Sequence, residues 1–354
     1  MIKLSTCIMT DQLSQSIKEA ISSVIEQSDE VIILATNLVA YDAISLHYAG
    51  SKIKVYFLEW VDNFSYMRNY LSSLCSNDIV FHIDSDERVS TSFFEELFYL
   101  LPLANTENTV FEVTVVDESG SIAPNISRIF NKTHFRYFGF VHEIVRPDND
   151  ALQHFSYISL KHSITHRGYS IEQMKNKLIR NTRLNRKNVK EFPTDLRWVY
   201  FSIKEDCQIG NYQNALTFLE QVKSNENQDD TYIAGCYCYL LFSLIFSSRL
   251  TEAKILLKTV TLDQSDNDYF EALTLLYEVE ADKEHIQKII TNITSAHGSS
   301  IDINGFHIDM LRAKLEIMNQ NFREAFILFD SHNSRGRVMS RSLERKLMEA
   351  LESL

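Results

Sequence analysis

Short apolar runs alternate with amphipathic segments along the first 170 residues. Runs at 4–9, 31–35, 53–58 and 79–83 are rich in Val, Ile and Phe, which is typical of buried strands. Residues 13–28 place Ile17, Ile21 and Val24 on one helical stripe, and further helices are predicted at 40–49, 65–75 and 92–103. Further strands are predicted at 109–116, 126–130 and 157–165. Repeated strand–helix units predict an α/β fold with a mostly parallel sheet covered on both faces.

The pattern changes beyond residue 170, where Gly and Pro become rare and leucines recur at helical spacing. A polar turn followed by an apolar residue and then x-x-Ala occurs at 210–215, 249–253 and 320–325, with a weaker copy at 282–286. Ala215 and Ala253 are 38 residues apart, and Ala325 follows after a further 72, or two steps of 36. This period is typical of tetratricopeptide-like helical hairpins. We therefore expect an all-α helical-repeat domain at 195–354, joined by a basic helix at 171–194 to a domain at 1–170.

Composition excludes some partners. The net charge of −12 argues against nucleic acid or an anionic membrane as the main partner, although Lys and Arg are concentrated at 171–189. No apolar stretch approaches the roughly 20 residues that a membrane span requires, and no charged-then-apolar leader opens the chain. Five cysteines without C-x-x-C spacing predict free thiols, no zinc site and a cytoplasmic location.

Two carboxylates follow the apolar run at 79–83, in Asp84-Ser85-Asp86. Acidic oxygens at the end of a strand suit a hard divalent cation that keeps positions open for phosphate oxygens. Such a cation would offset the charge of a nucleotide-sugar diphosphate and stabilise it as it leaves. The alternative for this pair alone is a solvated acidic turn.

Three further motifs accompany this D-x-D-E element: the segment WVDNFSYMRN at 60–69, Val141-His142-Glu143, and the H-x-G-Y at 166–169. In this order they resemble the family-two inverting glycosyltransferases of the A-type nucleotide-sugar-binding fold, and most closely a bacterial subgroup. With the helical repeats, the architecture resembles enzymes that glycosylate Ser or Cys of antimicrobial peptides called glycocins.

The resemblance implies that Asp86 binds the cation directly, and that Asp84 contacts the ribose or binds the cation through water. His166 can complete the metal shell through a neutral imidazole nitrogen, which Mn²⁺ accepts better than Mg²⁺. The expected cofactor is Mn²⁺ or Mg²⁺, with a UDP-sugar as donor.

Ser65 is predicted to cap a helix that carries Arg68 and Asn69 in its first turn. The planar guanidinium of Arg68 suits the diphosphate or the uracil, unless it forms an ion pair with Asp62 or Glu59. Asn69 is assigned to the same nucleotide-sugar site, where we expect it to tie the start of the helix to the D-x-D loop.

An inverting transfer requires a base that takes the acceptor proton. The resemblance assigns Glu143 to this role, and His142 could share it or substitute for it. The alternative for Glu143 is a salt bridge to one of three arginines, Arg128, Arg136 or Arg146.

The chain departs from the family pattern after its second strand. The resembling enzymes place a base-reading aspartate there, whereas this chain has Asn37 and, displaced along the segment, Asp42. Asn37 is the candidate to hydrogen-bond uracil, and the substitution puts the nucleobase preference in question.

The expected function is therefore metal-dependent, inverting transfer of a hexose or N-acetylhexosamine from a UDP-sugar to Ser or Cys of a small peptide. Helical repeats suit a polypeptide acceptor or self-association into a homo-oligomer, because they offer extended surfaces. Two alternatives stay open: surface-polysaccharide assembly at the cytoplasmic membrane face, and a catalytically dead helical-repeat adaptor.

Overall fold

The computed structural model describes residues 2–49, 51–118, 122–149, 154–167, 171–225, 231–278, 282–302 and 305–333. The chain divides into two units, Met1–Asn188 and Val189–Leu354. The first unit takes in most of the segment that the sequence predicts as a connecting helix, and the predicted domain boundaries at 170 and 194 stay predictions.

Strands and helices alternate through the first unit, as the hydrophobic pattern predicts. The strands are β1 (Leu4–Thr10), β2 (Glu30–Ala35), β3 (Ile53–Phe57), β4 (Ile79–Asp84), β5 (Glu87–Arg88), β6 (Thr109–Asp117), β7 (Ile122–Asn131), β8 (Phe135–Phe138), β9 (Ile144–Pro147), β10 (Ser156–Ser159) and β11 (Ile164–His166). The helices are α1 (Gln15–Val24), α2 (Leu38–His47), α3 (Phe64–Ser73), α4 (Thr91–Leu100) and α5 (Ile171–Glu191). The sequence pattern does not predict β5, β8 or β9, and it predicts one strand where the structure has β10 and β11. Strands this short show little periodicity.

The main sheet has the strand order β3-β2-β1-β4-β7-β6-β11-β5, and β10 also pairs with β6. Strands β3, β2, β1 and β4 run parallel, whereas β7 is antiparallel to both β4 and β6. The predicted α/β fold is confirmed, with parallel pairing from β3 to β4 and again between β6 and both β10 and β11. The carboxyl ends of these parallel strands share one edge, where ligands bind in sheets of this kind.

Apolar side chains pack on both faces of the sheet. On β1, the adjacent residues Cys7 and Ile8 belong to two different clusters of buried side chains, because neighbours on a strand point to opposite faces. The cluster of Ile8 includes residues of α1 and α4, and that of Cys7 includes residues of α3. Burial on both faces explains why these strands are continuous apolar runs.

The N-cap of helix α3 lies two residues earlier than the sequence predicts. Its N-cap is Asn63, whose Oδ1 accepts hydrogen bonds from the backbone N–H of Tyr66 and the hydroxyl of Ser65, both at 3.0 Å. Ser65 lies inside the helix, so the prediction that Ser65 caps it is wrong. Both residue types can cap a helix, so local preference alone does not choose between them.

The regular elements among the described residues of the second unit are helices. They are α6 (Leu196–Gln208), α7 (Tyr212–Leu216), α8 (Leu219–Ser224), α9 (Ile233–Phe246), α10 (Leu250–Thr259), α11 (Gln264–Leu276), α12 (Lys283–Asn292), α13 (Phe306–Met318) and α14 (Phe322–Asn333). Four hairpins pair α6 with α7, α9 with α10, α11 with α12 and α13 with α14. The four repeated sequence segments lie where the second helix of each hairpin begins.

The turns of three hairpins share one backbone geometry. Gly210, Ser248 and Gln320 have φ of 77°, 59° and 63°, which is the left-handed conformation that often ends a helix. The next amide N–H donates to the carbonyl five residues earlier: Asn211 to Asp206 (2.7 Å), Arg249 to Leu244 (2.9 Å) and Asn321 to Glu316 (2.8 Å). The turns therefore end one helix and start the next in the same way, while the tetratricopeptide identity of the repeat stays a prediction.

Among the described residues, no helix is both long enough and apolar enough to cross a membrane.

Candidate active site

The D-x-D-E segment lies at the carboxyl end of β4. Asp84 is the last residue of this strand, and Glu87 begins β5, which pairs with β11 so that Glu87 faces His166. The backbone N–H of Arg167 donates to the carbonyl of Asp86 at 2.9 Å. Pairing of β5 with β11 thus brings the D-x-D turn and the H-x-G-Y motif together, although Gly168 and Tyr169 lie outside the described residues.

Asp86 and His166 form the pair that best fits a metal ion. Asp86 Oδ2 lies 3.1 Å from His166 Nε2, and both side chains are largely buried. Two neighbouring ligands of an octahedral cation, each at roughly 2.1 Å, lie about 3.0 Å apart, so the observed spacing suits shared coordination as well as a hydrogen bond. No three His, Cys, Asp or Glu side chains of the described residues are grouped closely enough to hold an ion. A cation here would therefore need further oxygen ligands from its substrate and from water.

Asp84 is held by two arginines. Arg68 Nη2 donates to Asp84 Oδ1 at 2.7 Å, and Arg128 Nη2 donates to Asp84 Oδ2 at 2.9 Å. Burial acts to raise the pKa of Asp84, but the charges of Arg128 and Arg68 hold that pKa well below its usual range. Its side chain keeps 40% of its surface exposed, so it still faces solvent.

Arg68 is a bridge between two carboxylates. Besides its bond to Asp84, its Nε donates to Glu143 Oε1 at 2.6 Å, and its guanidinium lies over the ring of Tyr137. The sequence alternatives for both residues named other partners, namely Asp62 or Glu59 for Arg68 and three other arginines for Glu143. The observed pair joins two motifs that are 75 residues apart.

Glu87 is buried beneath this site. Its carboxylate accepts hydrogen bonds from Arg128 Nη2 at 2.7 Å and from the backbone N–H of Asp84 at 2.8 Å. The following helix, α4, is capped by Ser90, so Glu87 does not serve as its cap. Burial, followed by the charges of Asp84 and Asp86, raises the pKa of Glu87 to about 7 against the opposing charge of Arg128.

Glu143 and His142 lie in the loop that joins β8 to β9, which we call the base loop and define as residues 139–143. Two of its residues, Gly139 and His142, have positive φ, at 95° and 53°. Histidine is among the residues that enter the left-handed region more readily than most, at a cost of roughly 1–2 kcal/mol. The Glu143 side chain is 14% exposed and its carboxylate is oriented by Arg68.

The other predicted nucleotide-sugar residues have structural bonds. The Asn69 amide accepts from the N–H of Tyr137 and donates to its carbonyl, both at 2.8 Å, so it holds β8 instead of the D-x-D loop. Asn37 caps α2 by accepting from the N–H of Ala40 and donates to the carbonyl of Asp11. Asp42 is exposed on α2. Their assignment to uracil or sugar stays a prediction.

Basic residues of α5 contact the motif segments. Arg183 forms a bidentate ion pair with Asp62, at 2.6 and 2.8 Å, and Arg180 lies over the ring of Phe64. Lys187 lies over the ring of Phe140 in the base loop. The basic helix at 171–194 that the sequence predicts thus packs, in part, on the segments flanking Arg68 and Glu143.

Two residues of the site escape the sequence analysis. The sequence offers Arg128 only as a partner of Glu143, yet Arg128 lies within a predicted buried strand, where a charge requires a partner. Asn188 is fully buried, together with Asn185 and Asn181 on the same face of α5. Their spacing of four and three residues is the helical period, and it could have indicated a buried polar face.

Comparison with known proteins gives several glycosyltransferases. The SPbeta prophage-derived glycosyltransferase SunS of Bacillus subtilis (strain 168) is 22% identical over 331 residues, which cover 90% of this chain and 78% of SunS. The glycosyltransferase SunS of Bacillus phage SPbeta gives the same values. An uncharacterized glycosyltransferase of Rickettsia conorii is 23% identical over 225 residues, or 56% of this chain and 78% of the relative. No family model matches the chain.

Solved structures with some similarity include GalNAc-T7 with UDP, GalNAc and Mn²⁺ (TM-score 0.29, 13% identity, 43% of this chain and 31% of that one). Staphylococcus aureus TarS gives a TM-score of 0.37 and 12% identity over 88% of this chain and 53% of that one. The sequence relatives confirm the motif-based prediction that this chain is a glycosyltransferase.

Proposed function

We propose that this glycosyltransferase transfers a hexose or N-acetylhexosamine from a UDP-sugar, with inversion and with a divalent cation, to Ser or Cys of a small peptide. The observation that carries the proposal is the joining of four motifs at one edge of the sheet. Asp86 lies against His166, and Asp84 is joined through Arg68 to Glu143. The proposal places the reaction in the cytoplasm, where nucleotide sugars are made.

Asp86 and His166 are the residues that would hold the cation, Mn²⁺ or Mg²⁺, which would supply positive charge for the diphosphate leaving group. Asp84 is already bonded to Arg68 and Arg128, so we expect it to bind the ribose hydroxyls, or to reach the cation through a water molecule, and not to coordinate the cation directly. The ammonium of Lys177 on α5 lies within electrostatic range of Asp84 and Asp86, near the D-x-D turn.

Glu143 is the proposed base. It would accept the proton of the acceptor hydroxyl or thiol as the oxygen or sulfur bonds to the anomeric carbon and the bond from that carbon to the diphosphate oxygen breaks. The ion pair with Arg68 fixes the direction of the carboxylate. His142, the adjacent residue of the base loop, is the second candidate for the same proton.

The helical hairpins support a polypeptide acceptor, because stacked hairpins offer extended surfaces suited to a peptide. The same unit could instead mediate self-association into a homo-oligomer, which measurement of the molar mass in solution would decide.

The direct test is UDP release from UDP-glucose, UDP-galactose and their N-acetyl derivatives by the purified protein with Mn²⁺. Asp86→Asn should lower turnover by about 10²-fold or more, and EDTA should do the same to the wild type. Asp148→Asn is the matched control, because that aspartate is half-exposed and pairs with Arg136 at the surface. No release with any donor would favour the adaptor alternative, and full activity of Asp86→Asn would refute the metal assignment.

A further inference from the structure

The side chain of Asn188 on α5 is fully buried and bonded to the base loop. Its Oδ1 accepts a hydrogen bond from the backbone N–H of Phe140 at 2.6 Å, and its Nδ2 donates to the carbonyl of Val141 at 2.8 Å. The second hydrogen of Nδ2 points to Asn185 Oδ1 at 3.1 Å. Because one backbone partner is a donor and the other an acceptor, only one orientation of the amide satisfies both.

The base loop is held at a second point by α3. The carbonyl of Phe140 accepts a hydrogen bond from the N–H of Phe64, the first residue of that helix, at 2.9 Å. Both backbone polar groups of Phe140 are therefore bonded, one to α5 and one to α3. The next residues along the chain are Val141, held by Asn188, then His142 with positive φ, then Glu143.

Glu143 is thus fixed from two directions. Arg68 binds its carboxylate, whereas Asn188 binds the backbone two and three residues before it. Arg68 alone cannot determine the path of the loop, because a long side chain can follow a moving carboxylate. A buried amide that bonds to two consecutive peptide groups fixes the backbone itself, since the lost bonds would leave buried polar atoms without partners.

We infer that Asn188 is a positioning residue for the transfer reaction, acting through the backbone of Phe140 and Val141 to place Glu143 and His142 against the acceptor. This inference rests on the proposed role of Glu143 as base. Asn188 lies outside all four sequence motifs, and its hydrogen bonds to described residues go to Phe140, Val141 and Asn185, none of which is assigned to the donor or the metal.

The experiment compares Asn188→Ala and the isosteric Asn188→Asp in the full chain, with the UDP-sugar that the wild type turns over and matched peptides carrying one Ser or one Cys. Both variants should lower kcat for the Ser peptide by about 10–10²-fold, because a displacement of a catalytic group by about 1 Å lowers the rate by about that much. KM for the donor should stay within about twofold, and the Cys peptide should lose less, since a thiol needs less help from a base.

The matched control is Asn131→Ala, another buried asparagine of the first unit, whose Oδ1 binds Thr133 in the turn after β7. It should lower the midpoint of thermal unfolding without changing kcat. A kcat loss in Asn131→Ala as large as that in Asn188→Ala would assign the effect to general destabilisation and overturn the inference.

The decisive arm is the double variant with Glu143→Gln. If Asn188 acts through Glu143, the Asn188→Ala loss should largely disappear in that background, because residues that act as a unit are not additive. An undiminished loss overturns the positioning role. A Glu143→Gln variant with full kcat contradicts the proposed base instead, so the two failures are distinguishable.

A measurement on the wild type keeps the inference testable if the variants do not fold. The amide hydrogen of Phe140 is bonded to a buried side chain, so its exchange with solvent should be slow, as for a core strand and not as for a surface hairpin loop. Fast exchange at residues 139–143, comparable to that of an exposed turn, would refute the tether.

Discussion

Replacement of Arg128 tests the buried ionic layer under the D-x-D turn. Arg128 Nη2 donates hydrogen bonds to Asp84 and to Glu87, but the two contacts contribute unequally to the free energy of unfolding. Asp84 is 40% exposed and keeps its ion pair with Arg68, so solvent and Arg68 still stabilise its charge when Arg128 is removed. Glu87 is 2% exposed and its pKa is already raised to about 7, so without Arg128 its carboxyl would have to bind a proton while buried. Breaking a buried pair by removing one member costs about 3–5 kcal/mol, so we expect Arg128→Met to cost about 3 kcal/mol of unfolding free energy.

The assay is urea unfolding followed by tryptophan fluorescence. The chain has two tryptophans, Trp60 in the first unit and Trp198 in the second, so a Trp198→Phe background isolates the unit that contains Arg128. Glu87→Gln keeps the acceptor for the Asp84 N–H and should cost about 1 kcal/mol. The double variant Arg128→Met/Glu87→Gln should cost less than the sum of the singles by about 1–2 kcal/mol, because a neutral amide at position 87 needs neither a charged partner nor a bound proton.

Arg136→Met is the control with the same chemical change at the surface. Arg136 and its partner Asp148 are both 51% exposed, so this pair should contribute no more than about 1 kcal/mol. A cost for Arg128→Met as small as this control, or strict additivity with Glu87→Gln, would refute the conclusion that the buried pair holds this layer together.

Two further predictions concern the base and the pH dependence of folding. Glu143→Gln keeps shape but not proton acceptance, so kcat should fall by about 10²–10⁴-fold for a Ser peptide and less for a Cys peptide; equal, slight losses would move the role to His142. Burial acts to raise the pKa of Glu30, but hydrogen bonds from Lys54, Ser5 and Ser76 lower it to about 2. A carboxyl with a lowered pKa in the folded state stabilises the fold above pH 4.5, and this stabilisation is lost as the pH falls toward 2. The free energy of unfolding of Glu30→Gln should therefore fall by about 2–3 kcal/mol less than that of the wild type over this pH range. An unchanged pH dependence of the unfolding free energy would contradict the prediction.

Local sequence determined the elements and the place of the chemistry. A run of buried apolar residues must form a strand covered on both faces, and Asp84 and Asp86 follow one, so their position at the carboxyl edge of the sheet is readable from the chain. The hairpin turns are equally local, because the left-handed residue and its bond span six residues, as at Gly210. Element ends are weaker predictions, as Ser65 shows, because several residues in a row can satisfy the same cap.

Only the tertiary structure decided which charges pair. Arg68 lies 75 residues from Glu143, and Arg128 lies 44 residues from Asp84 and 41 from Glu87; no local rule selects these partners from the other arginines. The choice follows from strand order, because β7 lies beside β4 and brings Arg128 under the D-x-D turn. The role of α5 has the same origin: its basic residues are visible in the sequence, but only packing shows that Asn188, on a neighbouring buried face, bonds to the base loop. Ion pairs and buried amides are chosen by proximity, and proximity is a property of the fold.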